Sequence, residues 1–235
     1  MGASVEPSRM SYEDTPTLDV TERESTIEIA LDRPDSLNAI DMDLATSLHE
    51  LLGDLNDEPD KGLLLTGRGD VTTAGADTAI VANPDVDPTE HAGYIHEIYD
   101  RLHRYPRPTV MACKGAIVGA GFQFALACDF AVVGEETTIS KAEIEHGIYS
   151  EYAVEMTAAE IGARLTREIY LSGETFDPER AYGVGFASRL VPESAVDETA
   201  RDLLADLVEK DPVAYEKIKR KLTYDGDVDD FELHT

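Results

Sequence analysis

The sequence predicts an α/β fold built on a mainly parallel sheet. Short apolar runs that read as strands alternate with stretches whose leucines follow helical spacing, the pattern that strand–helix–strand crossovers produce. A chain of 235 residues can bury a substantial core, so one large domain accounts for its length. Two arrangements satisfy the alternation: an open, doubly wound sheet, or a spiral of short strands stacked by turns.

Residues 1–16 are polar with two prolines and read as a loose leader. Residues 17–21 and 26–31 alternate apolar with polar side chains, as a hairpin of half-buried strands does. LDRPDSLNAI (31–40) is a turn-rich connector punctuated by Pro34 and Asn38. From Asp41, leucines at 44, 48, 51, 52 and 55 keep helical spacing behind an acidic start that suits the helix dipole. GLLLT (62–66) is an apolar strand ended by Gly67. TTAGADTAI (72–80) and the polar insertion NPDVDP (83–88) lead into a helical stretch over 89–105. TVMAC (109–113) carries no charge and reads as a buried strand, Lys114-Gly115 turns the chain, and Gly119-Ala120-Gly121 opens an apolar helix. FAVVG (130–134) and TTIS (137–140) suit two more strands, and the pattern becomes helical from about Glu151. Gly173 and Pro178 separate two helices, SRLVPE (188–193) reads as a late strand, and helices over roughly 194–209 and 212–222 precede an acidic tail.

Composition narrows the partners. The formal net charge is −28, from 48 acidic against 20 basic residues, far beyond the roughly 2 to 8 charges that suit a small domain. Such a surface repels nucleic acid and anionic membranes. With arginine outnumbering lysine, it predicts adaptation to high salt, as in a halophile, where screening within about 3 Å at 1 M suppresses self-repulsion. Cys113 and Cys128 lie in apolar surroundings and read as core residues, and no Cys/His spacing resembles a metal site. The polar start and the lack of a run of about 18 apolar residues give the cytoplasm as the expected compartment.

The chemistry concentrates in two turns rich in glycine and alanine, Ala74-Gly75-Ala76-Asp77 and Gly119-Ala120-Gly121, each expected to follow a strand and open a helical segment. The first turn of a helix leaves its N–H groups without internal partners. Brought together, the N–H groups of Ala76 and Ala120 can converge on one carbonyl oxygen as an oxyanion hole, where losing one donor raises the barrier by about 2.7 to 4 kcal/mol. The same small residues also permit plain close packing of helix on strand, and pattern alone leaves both readings open.

Four blocks carry a resemblance: LDRPDSLNAI, LLLTG with AGAD after it, RPTVMACKGAIVGAGFQFALACD (107–129), and KAEIEHGI (141–148). In this order they resemble the crotonase superfamily, also called the enoyl-CoA hydratase/isomerase family, over roughly residues 17–222. The resemblance implies a crotonase-like ββα spiral fold with a helical C-terminal part, usually a homotrimer or a dimer of trimers. It divides the chain into a leader (1–16), a spiral core (17–190), a C-terminal helical part (191–222) and an acidic tail (223–235). It implies an acyl-CoA thioester as partner, with coenzyme A arriving as part of the substrate and no permanently bound cofactor or metal.

By resemblance the oxyanion donors fall on Ala76 and Ala120. Leu37, Asn38, Ala39 and Ala74 match positions that hold the adenine end of coenzyme A, and Gly75 and Ala76 complete that contact set. Asp77 reads as a helix cap. Hydratases of the family use two glutamates, which map onto Gln123 and Glu143. Gln123 can hold a water or substrate by hydrogen bonds but cannot carry a proton, so the resemblance points to Glu143 as single acid/base, the arrangement of enoyl-CoA isomerases. Glu151 matches a second acid of dienoyl-CoA isomerases and also reads as a helix start. Glu145 would share a side with Glu143 on an extended backbone, and His146 reads as a partly buried histidine. The family's proline and glycine pair is replaced by Tyr149-Ser150-Glu151-Tyr152-Ala153, whose tyrosines are expected to reshape the acyl pocket. The expected activity is therefore enoyl-CoA isomerisation, with a hydratase or related hydrolase, a dienoyl-CoA isomerase using Glu143 with Glu151, and a CoA-binding paralogue with little catalysis as alternatives.

Overall fold

The computed structural model describes residues 15–82, 88–141 and 143–223. The expected leader, the insertion over 83–88 and the acidic tail fall largely outside them. Strands β1 (Leu18–Glu22) and β2 (Thr26–Leu31) form the expected antiparallel hairpin, with Leu18 opposite Leu31. Helix α1 (Met42–Asp57) follows, its first turn capped by Asp41, whose carboxylate accepts the Leu44 N–H at 2.9 Å. The stripe of leucines at 44, 48, 51, 52 and 55 is buried. The chain continues through β3 (Gly62–Gly67), α2 (Ala79–Ala82), α3 (Pro88–Arg104), β4 (Thr109–Cys113), β5 (Ala116–Val118), α4 (Ala120–Ala127), β6 (Phe130–Gly134) and β7 (Thr138–Ser140). Helices α5 (Glu151–Ile161), α6 (Ala163–Ser172) and α7 (Pro178–Gly183), strand β8 (Arg189–Val191), and helices α8 (Val196–Val208) and α9 (Pro212–Leu222) complete it.

The main sheet has the order β1-β2-β3-β4-β6-β8, parallel except for the first pair, and β5 pairs with β7 in a second, small parallel sheet. Isolated bridges extend that small sheet: Ile40 pairs with Ala76, Thr73 with Ile117, and Ile139 with Phe176. Each turn of the chain thus lays one segment in the main sheet and one in the small sheet, then runs into a helix. β2, Ile40 and α1 make one turn; β3, the 73–76 segment and α3 the next; β4, β5 and α4 a third; β6, β7 and the later helices a fourth. This is a ββα spiral and not an open doubly wound sheet. The crossing from β4 into β5 needs Gly115, where φ is +63° and a Cβ would lie 2.2 Å from the Asp70 carbonyl oxygen.

Period-two alternation explains the two apolar layers. Leu63, Leu65, Met111 and Cys113 face the interior of the spiral, together with the α1 leucines. Leu64, Val110, Ala112 and Val132 face the other way and are covered by Val196, Ala200 and Leu204 of α8. Both cysteines are fully enclosed, and burial pushes the Cys128 thiol up to about 12. Helix α9 is tied down at one point, where Asp129 accepts from the Tyr215 hydroxyl at 3.0 Å and from Lys219 at 2.9 Å.

One local expectation is met in short form and one is corrected. The segment Ala74–Asp77, bridged to Ile40 at Ala76, opens a helical segment of only four residues, α2. Residues 143–146 form a 3-10 turn instead of extended backbone, so Glu143 and Glu145 do not share a side.

Candidate active site

The spiral brings the two glycine-alanine turns side by side. Gly75 has φ +85°, and a Cβ there would lie 2.5 Å from the Val118 carbonyl oxygen and 3.6 Å from the amide nitrogen of Ala120. Gly121 backs onto Thr73, whose Cγ2 would be 2.4 Å from an added Cβ. Close approach of the backbones is therefore what these glycines provide. The first turn is fixed by hydrogen bonds from Ile40 N–H to Gly75 O at 2.8 Å and from Asp77 N–H to Ile40 O at 2.9 Å. In the second, the Gly119 N–H donates to Ser140 O at 2.9 Å, and Ala120 starts α4. The N–H groups of Ala76 and Ala120 have no acceptor among the described residues.

Glu143 lies against the second turn. Gly119 has φ +54°, and a Cβ on it would meet Oε1 of Glu143 at 3.3 Å. That oxygen is paired with the ammonium of Lys141. Oε2 is buried and has no hydrogen-bond partner among the described residues, an arrangement that costs stability unless a reactant uses the lone pairs. Lys141 itself is 5% exposed, its Nζ 3.4 Å from Gly119 O and 5.5 Å from the centre of the Tyr170 ring. Burial opposes its charge, but Glu143, Tyr170 and Tyr99 outweigh burial and hold Lys141 above the ordinary lysine range. The sequence reading missed Lys141, although a lysine directly after the TTIS strand in so acidic a chain was a usable signal.

Gln123 is enclosed, with 0% exposure, on the inner side of α4. Its Nε2 donates to Ala153 O at 3.3 Å, its Oε1 accepts from the Tyr170 hydroxyl at 3.1 Å, and Thr157 Oγ1 lies 3.4 Å from each end of the amide. Glu151 is exposed as the first residue of α5, a helix capped by Ser150, which accepts the Ala153 N–H at 3.1 Å. Glu145 is exposed and lies beside Gly173, and the side chain of His146 is outside the described set. Of the two tyrosines expected at the acyl pocket, Tyr152 is buried and donates to Asp100 at 3.2 Å, while Tyr149 is 43% exposed.

The segment matched to coenzyme A is stapled to the first turn. Leu37 and Asn38 both adopt positive φ, 52° and 53°, and Leu37 projects with 54% exposure. Asn38 is fully buried: Nδ2 donates to Arg68 O at 2.9 Å and Val71 O at 2.7 Å, and Oδ1 accepts the Arg33 N–H at 2.8 Å. Ala74 N–H donates to Leu37 O at 2.9 Å, Thr73 to Asn38 O at 2.7 Å, and Arg33 to Ala39 O. The Arg33 guanidinium also pairs with Asp41 at 2.8 Å and approaches Asp77, which in turn accepts the Ala79 N–H at 2.9 Å as a cap. The backbone N–H groups of 37–39 donate to Pro34, Arg33 and Ser36, so along this segment a ligand meets chiefly the exposed Leu37 side chain and the half-buried Ala39. No cluster of metal-ligating side chains occurs among the described residues, and no helix among them is long and apolar enough to cross a membrane.

Comparison with known proteins decides the family. The description Enoyl-CoA hydratase/isomerase matches residues 21–230. The chain belongs to the enoyl-CoA hydratase/isomerase family. Members similar to it include carnitinyl-CoA dehydratase of Citrobacter koseri, 30% identical over 211 residues that span 86% of this chain and 78% of that protein. Hydroxycinnamoyl-CoA hydratase-lyase of Pseudomonas fluorescens is 29% identical over 215 residues, with the same 86% and 78% coverage. The crystal structure of an enoyl-CoA hydratase from Polaromonas sp. JS666 has a TM-score of 0.77 at 25% identity, covering 86% of this chain and 81% of that one. DspI of Pseudomonas aeruginosa reaches 0.81 at 26%, covering 89% and 81%. The spiral is the crotonase fold, and the family makes this an acyl-CoA enzyme.

Proposed function

We propose that the protein is an enoyl-CoA isomerase in which Glu143 is the single acid/base. The observation that carries this reading is the contrast at α4: Glu143 keeps an unpartnered buried oxygen beside the Gly119-Ala120 turn, whereas Gln123 is an amide occupied by protein partners. Glu143 removes a proton from C2 of a 3-enoyl thioester, and the electron pair moves onto the thioester oxygen. The N–H groups of Ala76 and Ala120 hold that oxyanion, which strengthens their hydrogen bonds as charge develops. The dienolate then takes the same proton at C4, giving the 2-enoyl thioester and regenerating the carboxylate. The adenine end of coenzyme A lies along Leu37–Ala39 and Ala74, against the exposed Leu37 side chain and the half-buried Ala39. Glu151 serves as a helix start in this reading.

The second reading, hydration, is favoured by the relatives' names, which include a dehydratase and a hydratase-lyase. It would have Glu143 activate water without a second carboxylate. Two further attributes belong with the proposal. Exposed Ile218 and Leu222, one turn apart on α9, suit an interface of a homotrimer or dimer of trimers. The charge of −28 suits a cytoplasm of high salt.

Purified protein assayed in high salt with 3-enoyl-CoA and 2-enoyl-CoA substrates tests the choice. Conversion of the first to its 2-enoyl isomer, abolished by Glu143→Gln, is expected. Water addition to the second as the faster reaction replaces isomerase with hydratase. Acyl-CoA binding with neither turnover identifies a CoA-binding paralogue. Full activity in Glu143→Gln refutes the mechanism in either form.

A further inference from the structure

A buried lysine paired with the carboxylate of an acid/base residue calls for a role of its own. Lys141 is anchored three ways: by Oε1 of Glu143, by the carbonyl of Gly119 at 3.4 Å, and by the face of Tyr170 at 5.5 Å. Gly119 immediately precedes the N–H of Ala120. One ammonium group therefore links the base to the backbone turn that carries a proposed oxyanion donor. The terminal torsion of a glutamate is broad and roughly two-fold, so an unanchored carboxylate exchanges its two oxygens freely. A pairing that engages only Oε1 removes that freedom and leaves Oε2, buried and unpaired, as the oxygen not committed to a protein partner.

We infer that Lys141 is a positioning residue that pins Oε1 of Glu143 to the Gly119-Ala120 turn and assigns proton carriage to Oε2. This rests on the reading of Glu143 as acid/base. A single-carboxylate shuttle must reach C2 and C4 from one place, so a fixed oxygen serves both transfers, and misplacement of a reacting group by about 1 Å can cost roughly 10²-fold in rate. Lys141 neither gives nor takes a proton in the cycle. The other ionisable groups that face it are His96 and Tyr99 from α3 and Tyr170 from α6.

The experiment is a double-mutant cycle on the 3-enoyl-CoA reaction with Lys141→Met and Glu143→Gln. Lys141→Met is expected to lower kcat by about 10- to 100-fold with KM within about 3-fold, because positioning acts on the transition state. In the Glu143→Gln background the same change is expected to move the residual rate by less than about 3-fold, since coupled residues are not additive. Lys141→Ala is expected to regain at least about 5-fold in kcat with ethylammonium chloride, relative to potassium chloride at equal ionic strength, because the small cation restores the charge that pairs with Oε1. An unchanged kcat in Lys141→Met, an equal loss in both backgrounds, or no response to ethylammonium overturns the inference while leaving the role of Glu143 intact. Glu143→Gln with full activity removes the base itself, a separate failure. If the methionine and alanine variants do not fold, Lys141→Arg carries the test: its planar guanidinium re-aims the pair, and a change confined to KM overturns the assignment while one confined to kcat upholds it.

Discussion

Two polar side chains, Gln123 on α4 and Glu143 against its N-terminal turn, are satisfied in opposite ways. Gln123, inside the junction of α4, α5 and α6, both donates and accepts, with Ala153, Thr157 and Tyr170 as partners. Glu143, on the other side of the Gly119-Ala120 turn, has one oxygen held and the other left open. A closed set of hydrogen bonds fixes helices and favours a unique packing. An open one costs stability and is the kind of vacancy that a reactant fills. Tyr170 touches both sets, its hydroxyl on Gln123 and its ring beneath Lys141, so the structural cluster and the proposed reactive one share one residue.

The largest expected effect strikes the open side. Glu143→Gln should lower kcat by about 10³-fold or more with the fold intact by circular dichroism, within the range for loss of a general acid/base. A loss under tenfold would erase the contrast. Gly75→Ala comes next: at φ +85° its Cβ would meet the Val118 carbonyl, displacing the Ala76 N–H, and steady-state kinetics should show a kcat lower by about 10²-fold. Acid should then weaken the packing of α3, through His96 and His103. His96 bonds to Ser150, which caps α5, and burial pushes it down to about 4; His103 is likewise pushed down to about 4 by burial. Below the unfolded value of 6.5 the unfolded chain takes up protons that the folded chain refuses. Stability is thus full above about pH 6.5, falls as pH drops from 6.5 toward 4, and levels off below that, by about 3 kcal/mol per histidine. Urea midpoints at pH 7 and 4.5 measure it, and His96→Gln should remove part of the slope.

Smaller effects sharpen the comparison. Gln123→Leu should cost about 1 to 3 kcal/mol in urea unfolding by orphaning its partners, with kcat changed by less than about 3-fold. A fall in kcat as large as that of Glu143→Gln would move Gln123 into the reactive cluster. Glu151→Gln should change kcat by less than about 2-fold and stability by no more than about 0.5 kcal/mol, the contribution of an acid in the first turn of an exposed helix. A larger kinetic loss would revive the two-acid alternative.

Most strands and helices were legible because their signals are local, whereas their spiral arrangement came from the resemblance. The leucines of α1, the charge-free β4 and the glycines at 115 and 119 each declare their conformation from neighbouring residues. The adjacency of the two glycine-alanine turns followed from the resemblance, since no local signal encodes the bridge between Thr73 and Ile117 that joins them. Lys141 was missed for the same reason: Tyr170, which lies under its ammonium, comes from a helix far along the chain. The Ala74–Asp77 turn leads into a helix capped by Asp77, but only the four-residue α2, because small residues alone do not set a helix's length. The side chain of Asn38, counted among ligand contacts, is wholly engaged with Arg33, Arg68 and Val71.

That engagement of Asn38 bears on thermodynamics. Two consecutive residues with positive φ would ordinarily sample many conformations in an isolated loop, and a ligand ordering them would lose part of its affinity to chain entropy. Here folding has already immobilised 37–39 through three hydrogen bonds from one buried amide. If an acyl-CoA docks along Leu37 as proposed, its association should proceed as a rigid-body event, with a heat-capacity change that reflects only the surface covered and none of the excess that loop ordering adds.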